Sequence, residues 1–264
     1  MKNLIKLKKV LSKSYIKALS QLVAILTESN LSIETVVLIG SPMHSKTIIN
    51  SDLDVCIYIQ KIDFSKKLLT KILKTLQQDQ INIVEEPVFI SDFHNMRIEC
   101  SISLNEINFE LAFLDGNIHV ETTPHLVGKD NLERHIGNLF KYGIVLLDSK
   151  NSHYAQLKKS YLPYYSENLR LIRLEALEKA IENKILAFSK HDKLTKLIIL
   201  NNFLSLLIQY IFVKKRIYPY HYEKWLEKQF KDLLREKNIY CLLAKLTVDS
   251  DPIELNNIFE NIKN

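Results

Sequence analysis

Two aspartates at positions i and i+2, Asp52 and Asp54, open the apolar run Leu53–Ile59 (LDVCIYI). Side chains alternate along a strand, so both carboxylates point to one side while Leu53 and Val55 point to the other. Such a pair repels itself unless a divalent cation sits between the oxygens. Mg²⁺ favours one or two carboxylates plus substrate phosphates over an all-protein cage, so the pattern points to metal-assisted phosphoryl chemistry. Gly40 and Ser41 close the preceding apolar run, 35–39 (TVVLI), and ten residues separate Ser41 from Asp52. A residue without Cβ lets phosphate oxygens approach the backbone, and Ser41 adds a hydroxyl donor and exposed N–H groups, so a triphosphate is the expected guest of this turn. A third carboxylate on an adjacent strand would complete a two-metal site. Glu110, inside the apolar stretch 108–112 (NFELA), is the candidate, because a charge placed there without a partner is costly. Glu99, on the preceding strand, is its rival. The alternatives are a solvated strand start for the aspartates and an exposed hairpin position for Glu110.

These groups must be positioned by strands. Residues 35–39 and 53–59 read as two strands flanking one loop, and 81–90, 97–104 and 107–114 as three more, the last two forming a hairpin across Asn105-Glu106 without the glycine such a turn favours. Ahead of them, Leu4, Leu11, Ile16, Leu19, Leu22, Val23 and Leu26 recur at spacings of three, four and seven, which predicts one amphipathic helix over 4–29; residues 64–78 predict a lysine-rich helix. Beyond Asp115-Gly116 strand alternation largely stops. Residues 128–148 read as a mixed connector, and helices are expected over 166–188, 195–213 and 222–236. The expected fold class is α+β, a mixed sheet flanked by helices followed by a C-terminal helical domain. A boundary near residue 120 divides the chain into 1–120, containing the acids, and a helical 121–264.

The 264 residues are 47% hydrophobic and 25% charged, which excludes disorder as the main state, and five glycines and six prolines exclude collagen-like and turn-rich all-β designs. Cys56, Cys100 and Cys241 form no CxxC or Cys/His zinc pattern and read as free thiols in a reducing cytoplasm. The absence of GxxxxGK[ST] and GxGxxG disfavours P-loop and dinucleotide enzymes, and the spacing of His119, His125 and His135 matches no metal-binding helix. Net charge is +6, unevenly spread: six basic and one acidic residue over 1–30, seven and twelve over 31–120, 23 and 17 over 121–264. Basic flanks suit nucleic acid, a nucleotide cleft, or a lysine-rich chain with no partner. The lysine-rich start is followed by no apolar run, so no export signal is read. Residues 197–213 (LIILNNFLSLLIQYIFV) approach a membrane span but carry Asn201, Asn202 and Gln209, so a buried bundle helix is expected and no membrane partner. Tyr218, Tyr220, Tyr222 and Trp225 either stack a base or pack a helix pair around Pro219, with packing favoured. Lys224 and the run Lys214, Lys215, Arg216 either reach phosphates or lie at a solvated helix end.

The pattern Ile39-Gly40-Ser41, ten residues, Asp52-Leu53-Asp54-Val55 and a later Glu110 resembles the nucleotidyltransferase superfamily related to DNA polymerase beta. The resemblance covers about residues 20–120; the helical part, with Tyr218-Pro219-Tyr220 and Lys224-Trp225-Leu226, is more loosely similar to bacterial small-substrate members such as antibiotic adenylyltransferases. It implies that the Gly40-Ser41 turn binds the triphosphate, that Asp52 and Asp54 hold two Mg²⁺ ions, and that Glu110 serves one metal and helps activate the attacking hydroxyl; Lys224 is added as a nucleotide-binding candidate on its charge alone. His44 and Ser45 stand where many members carry a basic residue and a second glycine, and the third acid is Glu rather than Asp. The implied activity is transfer of a nucleoside monophosphate, AMP from ATP first, to a hydroxyl of a small-molecule acceptor with release of pyrophosphate. Transfer to RNA or a protein side chain, and nucleotide binding without turnover, are the competing readings.

Overall fold

A computed structural model describes residues 3–40, 52–60, 65–77, 81–91, 96–116, 137–149, 152–162, 166–188, 191–220 and 225–264. The class is α+β: among these residues six strands form one mixed sheet, accompanied by helices and followed by a helical C-terminal region. The chain falls into two compact units, Met1–Glu121 with Leu139–Ser160, and Thr122–Asn138 with Tyr161–Asn264.

In the first unit the strands are β1 (Ile33–Ile39), β2 (Leu53–Ile59), β3 (Ile81–Ser91), β4 (Met96–Leu104), β5 (Ile107–Asp115) and β6 (Ile144–Asp148), in spatial order β3-β4-β5-β2-β1-β6. Only β2 and β5 run parallel; every other pairing is antiparallel. Strand alternation divides the sheet cleanly. Val55 and Ile57 of β2, Phe109, Leu111 and Phe113 of β5, and Ile98 and Ile102 of β4 enter one apolar core with α2 and α3. Their sequence neighbours Asp54, Glu110 and Ser101 take the opposite face.

The helices covering the core face are α1 (Leu4–Val10), α2 (Lys13–Glu28) and α3 (Lys66–Leu76). The single helix read over 4–29 is two: Leu11 is extended at φ −118°, ψ 150°, and Ser12 starts α2. Leu7 and Leu11 of the first piece enter the same core as Leu19, Leu22 and Leu26 of the second. Ser65 caps α3 by accepting from the Leu68 N–H, and Leu68, Ile72 and Leu76, four apart, form its buried stripe. The β4–β5 turn is made by Asn105 (φ 52°) and Glu106 (φ 64°), the two left-handed residues of a type I′ hairpin, without a glycine. β6 lies inside the stretch read as a mixed connector and pairs with β1, and α4 (His153–Tyr161) follows it.

The second unit centres on α5 (Glu167–Phe188) and α6 (Lys193–Lys214). Asp192 caps α6, accepting from the Leu194 and Thr195 N–H groups at 3.0 and 3.1 Å. Leu206 to Val213 are all buried, as a helix apolar on every side requires. This is the stretch that approached a membrane span: among the described residues α6 alone is long and apolar enough to cross one, and 61% of its apolar window is buried inside the protein. α7 (Leu226–Gln229), a π-turn (Phe230–Leu234), α8 (Lys237–Leu243) and α9 (Pro252–Lys263) complete the unit, where Phe230, Leu255 and Phe259 join the α5 and α6 core. Gly137 lies where a Cβ would meet the Pro219 carbonyl oxygen at 2.4 Å, so the chain beside Tyr218-Pro219 needs a residue without a side chain.

Candidate functional site

Parallel pairing of β2 and β5 sets Asp54 directly beside Glu110. Neighbouring strands lie about 4.8 Å apart, so the two carboxylates share one patch of the face opposite the core. The reason is local sequence: on both strands an acid replaces one outward residue in an inward stripe of Leu53, Val55, Phe109 and Leu111. Asp52 immediately precedes β2 and is exposed, one pleat away from half-buried Asp54; Glu110 is exposed. Antiparallel pairing places Ile39 opposite Asp54, so the end of β1 delivers Gly40 to the same point.

Gly40 is fitted to that place twice over. Its φ is +80°, and a Cβ built on it would lie 1.9 Å from Asp54 Oδ2 and 2.9 Å from Cγ. Any side chain would occupy the space the Asp54 carboxylate uses. Ser41 and Lys224, the other two expected nucleotide contacts, lie outside the described residues, as do His44, Ser45, His119, His125, His135 and Tyr222.

The hairpin brings a further polar residue to the acids. Ser101 on β4 stands opposite Glu110 and is 6% exposed. Its hydroxyl lies 2.9 Å from Glu110 Oε2 and 3.1 Å from Glu85 Oε2, within reach to donate its one proton to either carboxylate. Glu85 reaches this place through a bulge: Ile83 faces Ile102 while Glu85 faces Ser101, so Val84 is the extra residue that turns Glu85 onto the acid face. Neither Ser101 nor Glu85 was singled out from the sequence. Ser101 was accessible to it, because a two-residue turn at Asn105-Glu106 fixes Leu104 against Ile107 and, three steps further in, Ser101 against Glu110. The bulge that recruits Glu85 carries no such signal.

Glu99, the rival third acid, pairs instead with Arg97 and faces Ala112. Cys56, next along this face from Asp54, has its thiol pushed up to about 12 by burial first and by the Asp54 charge second, while Arg97 pulls the other way. It therefore stays protonated at neutral pH and is no nucleophile. Further along, Tyr58 packs 6.1 Å from Tyr154, which is 5.2 Å from Phe140 and donates to the Leu139 carbonyl at 2.8 Å. Aromatic packing thus closes the face at that end.

Among the described residues no three His, Cys, Asp or Glu side chains come together as a ready-made metal cluster. The donor set nevertheless suits Mg²⁺ carried in on phosphates: Asp54 and Glu110 supply hard carboxylate oxygens side by side, and Mg²⁺ asks for no more than one or two of these from protein.

In the second unit the basic run has structural partners. Lys214 donates to the carbonyls of Ile262 and Lys263, both at 2.7 Å, Lys215 pairs with Glu236, and Arg216 with Glu167 at 2.7 Å. Tyr218 is buried, and the Tyr220 N–H donates to Gln229 at 2.7 Å. Arg173 is fully buried and donates to Gln209 Oε1 at 3.4 Å.

No family model and no curated protein matches the chain. Among solved structures it is similar to a nucleotidyltransferase-like protein from Exiguobacterium sibiricum 255-15, at 12% identity and a TM-score of 0.43, over 93% of this chain and 73% of that one. The functional reading therefore rests on the residues of this chain.

Proposed function

We propose that this protein is a Mg²⁺-dependent nucleotidyltransferase that moves AMP from ATP to a hydroxyl of a small-molecule acceptor. The supporting observation is the register that sets Asp54 beside Glu110 with Gly40 packed against the Asp54 carboxylate. The acceptor oxygen forms a bond to the α-phosphorus, the bond from that phosphorus to the bridging oxygen breaks, and pyrophosphate leaves with the electron pair. Mg²⁺, when bound, supplies neutralisation of charge on the phosphates. Asp52, Asp54 and Glu110 would hold it, and Glu110 also helps draw the proton from the attacking hydroxyl. Gly40 and Ser41 give the triphosphate an approach to bare backbone and donors, and Lys224 is the further nucleotide-binding residue of this reading. The helical unit recognises the acceptor in this reading, and the location is cytoplasmic.

The test is pyrophosphate release from each of four nucleoside triphosphates with Mg²⁺, with and without aminoglycosides, lincosamides or bulk tRNA, for the unaltered chain and Asp54→Ala. The expected result is release that depends on one small acceptor and falls about 10²–10³-fold or more in the variant, the scale of losing one preorganised electrostatic partner. Equal release by both proteins would refute the assignment of Asp54. Release dependent on tRNA would move the acceptor to RNA, and ATP binding with no release under any condition would make the chain a binding module.

A further inference from the structure

Glu110 is exposed on its strand, and a glutamate has three torsions to fix before its carboxylate can serve a cation. The side chain bonded to it is Ser101, whose hydroxyl is buried at the foot of the same face and reaches Oε2 at 2.9 Å. A carboxylate offers about four lone-pair positions, so one accepted bond orients it and leaves capacity for a ligand. Ligating carboxylates are commonly held by such outer partners, whose loss weakens metal binding 10–100-fold. The hydroxyl has one proton and two carboxylates within reach, Glu110 and, at 3.1 Å, Glu85. It serves one at a time, so Glu85 shares the donor that orients Glu110.

We infer that Ser101 is the positioning residue of the third acid: it holds Glu110 beside Asp54 for a divalent cation carried by nucleotide, while Glu85, brought in by the bulge at Val84, is the hydroxyl's second acceptor and not a ligand. This role rests on the proposed nucleotidyltransferase reading.

The experiment measures binding of Mn²⁺ with ATP by electron paramagnetic resonance of free Mn²⁺, which needs no turnover. Protection of Cys56 and Cys100 from thiol reagents, both buried in the first unit, checks that each variant is folded. Ser101→Ala is expected to weaken Mn²⁺–ATP about 10-fold, Ser101→Thr to stay within about threefold of the unaltered chain, and Glu85→Gln to stay within about threefold. If Ser101 acts through Glu110, Ser101→Ala added to Glu110→Gln produces no further loss. Unchanged affinity in Ser101→Ala, or additive losses in that double variant, would overturn the positioning role while leaving the nucleotidyltransferase reading standing. A loss in Glu85→Gln as deep as in Glu110→Gln would make Glu85 a ligand and overturn its place here. No Mn²⁺–ATP binding by the unaltered protein would overturn both readings together.

Discussion

Gly40→Ala tests the geometry of the acid site without requiring any substrate. At φ +80° an alanine pays the left-handed penalty of about 1–2 kcal/mol. Its Cβ would also lie 1.9 Å from Asp54 Oδ2, so the carboxylate must rotate, at about 0.5–1.5 kcal/mol for an off-rotamer side chain. The loss in the first unit is thus about 1.5–3.5 kcal/mol. Asp54→Ala removes the two closest atoms and leaves the Asp54 Cβ at 3.3 Å, a contact that small shifts absorb. In that background Gly40→Ala should cost only the backbone penalty, giving a coupling of about 1 kcal/mol. Two compact units make a single global unfolding energy ill-defined, so each needs its own reporter. Urea titration with pulsed thiol labelling provides it: Cys56 and Cys100 are buried in the first unit, whereas Trp225 fluorescence follows the second. The expected result is a shift in Cys56 and Cys100 protection with the Trp225 transition unmoved. Costs equal in the two backgrounds within about 0.5 kcal/mol would refute the claim that Gly40 is fitted to the Asp54 carboxylate.

Two other outcomes follow from the first unit. Glu106 sits at φ 64° without being glycine, so Glu106→Gly should stabilise that unit by about 0.5–1 kcal/mol in the same labelling assay; a loss of stability would mean the turn strain is not real. Burial raises the Cys56 and Cys100 thiols from 9.0 to about 12 in the folded chain. Between those values the unfolded chain releases protons the folded chain keeps, so this stabilisation is whole below pH 9 and is lost as pH rises toward 12, at about 1.4 kcal/mol per pH unit per thiol. The urea midpoint of Cys100 protection from pulsed labelling should fall between pH 8.5 and 10.5, less steeply in Cys56→Ala, and equal slopes in the two proteins would contradict the burial of that thiol.

Strands β1, β2, β4 and β5 were legible because each alternates: an inward Val, Leu, Ile or Phe at every second position leaves one possible face for Asp54 and Glu110. That assigns both acids to one face, since alternation decides the face. What alternation cannot decide is which strands are neighbours. The parallel β2–β5 pairing joins residues more than fifty apart in sequence, with three elements between them, and no local signal specifies it. The break at Leu11-Ser12 escaped for the opposite reason: the apolar spacing continues through it, so the pattern does not mark where α1 ends and α2 begins. β6 is five residues long and lacks polar alternation, with Ile144, Val145 and Leu146 all buried, so periodicity had nothing to detect. The site follows the same division. Its first acids announce themselves as charges in apolar strands, whereas Ser101 is an unremarkable residue type whose meaning comes from the hairpin register, and Glu85 depends on a one-residue bulge. A site of this kind is therefore written in two layers: the groups that would meet a ligand are visible by type and spacing, and the groups that aim them are visible only once strand pairing is known.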